Sequence, residues 1–154
     1  MKAPFTISPE TGRVHFPDLS LELAPLMPEA EFIAATSSLN RDNLGANKGW
    51  QRYSIRELIS NDRRLGLFII FLNGRLKMAS FAYAQKDETW DNWSEEGERQ
   101  REKEYQQELA SRLGGKNTFP WGKVGAKLDS KSGGTDIWIE FSDEPIAIKI
   151  ENSL

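Results

Sequence analysis

The stretch that decides the fold runs from Trp90 to Phe141 and reads WDNWSEEGERQREKEYQQELASRLGGKNTFPWGKVGAKLDSKSGGTDIWIEF. Ser94 followed by acidic residues is typical of a helix N-terminus, where a hydroxyl caps free amides and carboxylates face the positive end of the helix dipole. Gly114 is the expected C′ residue, so the helix is predicted to end at about Leu113. Its apolar residues form one narrow stripe, which predicts a helix that packs along one edge and leaves most of its surface in water.

Three short apolar segments follow the helix. Val124–Leu128, Ile137–Phe141 and Ile146–Ile150 are predicted to be strands of a meander, and the Gly-Gly turn at 133–134 separates the first two. Strands, one long helix and then more strands predict an antiparallel sheet with its helices on one face.

The segments before Trp90 complete this picture. Asn73-Gly74 is the preferred pair for a type I′ turn, so Leu67–Leu72 and Arg75–Phe81 are predicted to form a β-hairpin. An opening hairpin with strands at 5–7 and 14–16, an extended segment at 19–23, a short helix at 28–35, a loop at 37–49 and a strand at 50–55 are predicted upstream. Ser54 and Glu57 would also satisfy a capping box, but a strand is favoured there. The sequence therefore predicts one α+β domain over residues 1–154, an antiparallel β-sheet meander packed on one face by one long and one short helix.

Composition limits the class of protein. The chain has 154 residues, no Cys and a net charge of −3. The lack of Cys removes thiol chemistry and disulfides and is typical of a reducing compartment. We find no secretory signal, and the longest apolar run, Leu67–Leu72, is too short to span a bilayer. A cytoplasmic protein without membrane contact is expected.

The sequence offers no recognisable catalytic or metal-binding motif. His15 is the only histidine, and it falls in a predicted strand of the first hairpin. A Ser-His-Asp triad or a His-Glu-x-x-His site needs partners that the sequence does not supply. Asp129 and Asp136 bracket the Gly-Gly turn without the periodicity of a calcium loop. We therefore expect no catalytic residue, no metal and no cofactor.

Two aromatic groups have competing interpretations. Trp50 and Tyr53 are interleaved with basic residues in a pattern that could bind single-stranded nucleic acid, the basic residues being Arg52, Arg56, Arg63, Arg64, Arg75 and Lys77. The overall acidity of the chain argues against that function. Four other indoles, at Trp90, Trp93, Trp121 and Trp138, are predicted to be core anchors, with a partner surface as the alternative.

The order of motifs in the C-terminal half resembles that of small cytoplasmic bacterial proteins of the polymorphic-toxin immunity type. The resemblance rests on Trp90-x-x-Trp93, the Glu-rich helix ending in Leu113-Gly114, Phe119-Pro120-Trp121-Gly122, the Gly133-Gly134 turn and Ile137-x-Ile139-x-Phe141. It implies a non-catalytic inhibitor that binds a toxin domain, and it transfers no functional residue.

A protein-binding module is therefore the predicted function, with an immunity-type inhibitor as its specific form. Its partner, a basic toxin domain, is predicted to bind an acidic surface by electrostatic complementarity. The residues predicted to form that surface are Asp87, Glu88, Asp91, Glu95, Glu98, Glu102 and Glu104. The alternative is a small-ligand-binding or hydrolytic domain with a pocket between helix and sheet, near Asp129, Asp136 and the tryptophans.

Overall fold

Two antiparallel sheets, two α-helices and two short 3-10 helices, Pro17–Leu19 and Trp90–Asn92, make up the described part of the fold. The computed structural model describes residues 3–60, 63–85 and 90–142, with the backbone alone described at Glu57, Ile59, Ser60 and Trp90. The strands are β1 (Thr6–Ile7), β2 (Val14–Phe16), β3 (Leu21–Leu23), β4 (Arg41–Asn47), β5 (Trp50–Ser60), β6 (Arg63–Leu72), β7 (Arg75–Gln85), β8 (Thr118–Phe119), β9 (Gly122–Leu128) and β10 (Thr135–Phe141), and the helices are α1 (Glu29–Ala35) and α2 (Glu95–Leu113). The predicted α+β class is confirmed.

The order of the strands shows how the sheets are built. Strands β1, β2 and β3 form a three-stranded sheet, and the other seven form a sheet in the order β4-β5-β6-β7-β10-β9-β8. The predicted meander is thus interrupted, because β10 lies between β7 and β9. It pairs with both, through Ile137 opposite Phe81 and Ile137 opposite Ala126.

One face of the seven-stranded sheet carries the core. Burial alternates strictly along β6 and β10, as expected when every second side chain points to the same face. The three-stranded sheet contributes Phe5 and Phe16, whose rings lie 4.9 and 5.1 Å from that of Phe81. Phe32 of α1 packs on Tyr53 and Phe71. Both helices and the small sheet therefore share this inner face.

Helix α2 begins and ends where the sequence predicts. The amide of Gly97 donates to the hydroxyl of Ser94 at 3.0 Å, and Gly114 adopts a left-handed conformation with φ of 67°. Tyr105, Leu109 and Leu113 are the buried residues of the helix. They form the predicted narrow stripe, and it packs on β9 and β10.

The hairpin at Asn73-Gly74 is confirmed, since both residues have positive φ and join β6 to β7. The loop predicted at 37–49 is wrong in part, because β4 occupies most of it and pairs with β5. Its Ser, Asn and Gly content is tolerated on an exposed edge strand that bulges next to Gly45. The strand predicted at Ile146–Ile150 lies outside the described residues.

The tryptophans take three different positions. Trp121 is buried, and its Nε1 donates to the carbonyl of Pro9 at 2.8 Å, so the prediction of a core anchor is right for this residue. Trp93 is 43% exposed, although its Nε1 ties the start of α2 to the carbonyl of Gly133. Trp138 is half-buried on the outer face of the sheet, and the core prediction does not hold for it or for Trp93.

Candidate partner-binding surface

The predicted acidic residues divide between two sides of α2. Asp91, Glu95 and Glu104 are exposed to solvent. Asp91 lies in the short 3-10 helix that precedes α2, and the other two lie on its outward side. Asp87 and Glu88 lie outside the described residues.

Glu98 and Glu102 face the sheet instead of the solvent. The carboxylate of Glu102 accepts the backbone amide of Leu128 at 2.6 Å. The side chain of Glu98 is 14% exposed and lies 3.6 Å from the guanidinium of Arg101. Glu102 therefore holds α2 on the sheet directly, whereas Glu98 contacts Arg101, whose guanidinium donates to the Tyr83 carbonyl.

Helical periodicity explains this correction. Glu98 precedes Tyr105 by seven residues and Glu102 precedes it by three, so both share the side of the buried stripe. The sequence contained this signal. The seven predicted acids are close together along the chain, but their spacing within the helix directs Glu98 and Glu102 to a different side from Glu104.

The outward side of α2 carries charges of both signs. Glu95 pairs with Arg99 at 2.9 Å, four residues away and exposed to a similar degree. Such exposed pairs contribute about 0.3–0.5 kcal/mol each. Acids still outnumber bases from 95 to 113, where six acids stand against four bases. The helix as a whole is therefore negatively charged.

A cavity of about 620 Å³ lies between the start of α2 and the end of the sheet. Trp93, Glu98, Arg101 and Asp136 line it, as do Arg56 and Arg64. Like the alternative pocket predicted from the sequence, it lies between helix and sheet, and it shares Asp136 and Trp93 with that prediction. Asp129, Trp121 and Trp138 do not line it. The cavity brings guanidinium groups, carboxylates and one indole together.

Asp136 is a carboxylate of the cavity lining whose pKa is shifted. Partial desolvation raises the pKa of its carboxyl, and the negative charges of Asp129 and Glu98 raise it further. A raised pKa in a concave site is one physical indication of function, and it is also produced by crowded carboxylates with no such role.

The predicted nucleic-acid patch is divided by the sheet. Tyr53 and Arg63 are buried on the inner face, where Arg63 approaches Asp18 at 3.3 Å. Trp50 and Arg52 alternate with Tyr53 along β5 and therefore point to the outer face. Tyr53 and Arg63 are thus separated by the sheet from the members of the predicted group that lie on the outer face.

Within residues 3–60, 63–85 and 90–142, no group of three His, Asp or Glu side chains has the arrangement of a metal site. In the same part of the chain, no helix is long and apolar enough to cross a membrane. His15 is exposed on β2, a strand of the predicted first hairpin.

Comparison with known proteins gives a likeness in fold. No protein-family model and no curated protein matches the sequence. The chain is similar to a chain in the solved structure of Rhs1-CT in complex with cognate immunity protein RhsI1, with a TM-score of 0.54 and 10% sequence identity. The match covers 97% of both chains. The resemblance predicted from the sequence is confirmed at the level of the fold.

Proposed function

We propose that this protein is a non-catalytic, immunity-type inhibitor that binds and neutralises a bacterial toxin domain in the cytoplasm. The observation that carries the proposal is the likeness in fold, over almost the whole chain, to a structure that contains an immunity protein bound to its partner. The motif order in the C-terminal half supports the same function independently of the structure.

The proposed contact surface is the outward acidic side of α2 and of the turn before it. Asp91, Glu95 and Glu104 are exposed there and can approach a basic partner. Asp87 and Glu88 belong to the same predicted surface. Glu98 and Glu102 support it from below, because their carboxylates contact Arg101 and the Leu128 amide. Electrostatic matching of this kind acts mainly on the association rate.

The function is tested with the C-terminal domain encoded by the gene immediately upstream. That domain is expressed in a host with and without this protein, and growth and co-purification are measured. We expect the wild-type chain to restore growth and to co-purify with the domain in equal amounts. If the domain is toxic and the folded chain neither binds it nor protects the host, the proposal is wrong for that pairing.

The surface is tested separately by charge reversal. We expect D91K/E104K to slow association with the domain at least about tenfold at low salt. The control E10K/E31K changes the net charge equally at exposed positions away from α2. Equal slowing in both double variants would show an effect of total charge and would contradict the proposed contact surface.

The cavity supports a second candidate function, the binding of a small anionic molecule. Its volume lies in the range of ligand sites, and Arg56, Arg64 and Arg101 supply positive charge. Thermal-shift measurements with phosphate, nucleotides and dicarboxylates test this candidate. A rise in Tm that is lost in R56A/R64A would support it, and no rise with any of these anions would argue against it.

A further inference from the structure

The outer face of the seven-stranded sheet is a second surface with a chemistry of its own. Leu65, Leu67, Ile69 and Phe71 of β6 are buried on the inner face. The alternate residues of this strand therefore point to the outer face. Both helices and the small sheet lie on the inner side, and the outer side chains at the middle of the sheet, on β6, β7 and β10, are half-exposed or exposed, whereas Ser54 of β5 is buried.

Two rows of paired residues define this open sheet face. One row runs Ser54, Phe68, Ser80, Trp138 and Gly125 across β5, β6, β7, β10 and β9. The adjacent row runs Arg52, Ile70, Met78, Glu140 and Lys123 across the same strands. The centre of the face is thus apolar, with a cation at each end of the second row.

Trp138 makes this centre flat. A Cβ atom built on Gly125 would lie 2.7 Å from the Trp138 ring, which shows that the indole rests directly on the glycine backbone. Phe68, Ile70 and Met78 are half-exposed beside it. Aromatic residues and Met, surrounded by polar groups, are characteristic of the core of protein interfaces.

The charges around the apolar centre are mostly positive. The basic residues of the open sheet face are Arg52, Lys77, Lys123 and Lys127, and the acidic ones are Asp42 and Glu140. Arg56, Arg64 and Asp136 lie at its end, where they line the cavity. Glu140 lies 4.0 Å from Lys77, which offsets part of its charge. The face is therefore basic in a chain whose net charge is negative.

We propose that the open sheet face is a docking surface for an acidic protein segment, in which apolar side chains are flanked by carboxylates. The apolar centre would take the apolar side chains, and Arg52 and Lys123 would pair with the flanking carboxylates. A second copy of this chain docked face to face would oppose two basic rims, which is unfavourable. Nucleic acid fits less well, because Ile70 and Met78 offer neither charge nor a stacking plane.

This surface is distinct from the one assigned under the proposed function. The acidic side of α2 lies on the other side of the sheet and suits a basic partner. The two surfaces can therefore be occupied independently, and the failure of one assignment does not affect the other.

The test uses a fluorescein-labelled synthetic peptide in which leucine and phenylalanine alternate with glutamate, and a matched peptide with lysine at each glutamate position. Binding to the full chain is followed by fluorescence anisotropy, and the site is located by chemical-shift changes in ¹⁵N spectra. We expect the acidic peptide to bind with a Kd below about 1 mM, to shift the Trp138 indole signal and to lose affinity at higher salt. The lysine peptide is expected to bind at least about tenfold more weakly.

Variants separate the apolar centre from the basic rim. We expect W138A to weaken the acidic peptide at least about tenfold, whereas I33A, which removes an exposed apolar side chain of α1 on the inner side of the sheet, leaves its affinity unchanged. We expect R52E/K123E to weaken the acidic peptide and to strengthen the lysine peptide. R13E/K103E makes the same change in net charge at exposed positions away from this face and serves as its control. The ¹⁵N spectra show directly whether each variant is folded. If W138A does not fold, R52E/K123E still tests the proposal.

Four results would overturn the proposal. They are no binding of the acidic peptide at about 1 mM, equal binding of the two peptides, tighter binding of a 15-nucleotide oligothymidine at Trp138, and a concentration-dependent dimer that R52E/K123E disrupts in sedimentation experiments.

Discussion

The hydroxyl of Tyr105 completes the backbone hydrogen bonding of Tyr83. It accepts the Tyr83 amide at 2.8 Å and donates to the Tyr83 carbonyl at 2.6 Å, and the two rings lie 4.7 Å apart. Arg101 adds a second donor to the same carbonyl at 2.9 Å. β7 extends past the last residue that pairs with β10, so a side chain of α2 supplies what a neighbouring strand would otherwise provide.

Removing that hydroxyl is expected to destabilise the fold. Y105F keeps the ring but leaves a buried amide without an acceptor, and an unsatisfied buried group costs about 1–3 kcal/mol. The measurement is urea unfolding, in which the midpoint should fall at an unchanged m-value. The control is Y53F, because the Tyr53 hydroxyl bonds the side chain of Glu29, which can turn to water. Equal losses in the two variants would contradict the special role of Tyr105.

The cap of α2 gives a second prediction. S94A removes the acceptor of the Gly97 amide and should lower the free energy of unfolding by about 1 kcal/mol. Ser111 lies near the other end of the same helix, and its hydroxyl donates only to the carbonyl of Glu108. S111A should therefore change stability by less than about 0.5 kcal/mol. Thermal unfolding of both variants measures the difference.

Two glycines on the outer face should respond to alanine in opposite directions. A Cβ at Gly125 would lie 2.7 Å from the Trp138 ring, whereas a Cβ at Gly66 would meet no atom within 4 Å. G125A should displace the indole and lower Tm. G66A should raise Tm slightly, because alanine loses less backbone entropy on folding. The Trp138 indole signal in ¹⁵N spectra should move in G125A and stay in place in G66A.

Two aspartates near the Gly-Gly turn should have opposite effects on the pH dependence of stability. The folded chain holds the proton of Asp136 more tightly than the unfolded chain does, because its pKa is raised. The tighter binding of this proton stabilises the folded state at low pH, and the stabilisation is lost as the pH rises through the folded pKa. D136N should therefore raise Tm at pH 7, and the gain should vanish below about pH 4.

Asp129 provides the opposite case. The backbone amide of Lys131 donates to its carboxylate at 3.0 Å, and this bond lowers the pKa of Asp129. The ionised carboxylate therefore stabilises the folded state above the ordinary pKa of aspartate, and this stabilisation is lost as the pH falls through the depressed folded pKa. D129N should lower Tm at pH 7 and approach the wild type in acid. Shifts of the same sign in D129N and D136N would contradict both assignments.

Local signals in the sequence were sufficient for the elements that form through near neighbours. Ser94 and Gly114 define the ends of α2, and Asn73-Gly74 defines the central hairpin, because each acts through contacts a few residues away. The edge strand β4 was missed, since its Asn and Gly content is that of a loop and only pairing with β5 makes it a strand.

The surfaces were predicted less completely, because they depend on pairing across the sheet. The opposite orientations of Arg52 and Tyr53 follow from strand alternation once β5 is known. No local pattern indicates that Trp138 shares a row with Phe68, since β7 lies between them and the pairing spans about half of the chain. The open sheet face could therefore be recognised only after the order of the strands was known.

The position of β10 also constrains how the protein is made. Strand β7 is joined to β6 by a two-residue turn and pairs with it. Its other edge stays unpaired until β10 is made, and β10 is synthesised last of the described strands. Until Phe141 has left the ribosome, an apolar hairpin with an open edge is exposed to every other nascent chain. A truncation before β10 would therefore remove the core residues Ile137, Ile139 and Phe141 and would also leave the β6–β7 hairpin with a permanently unpaired edge.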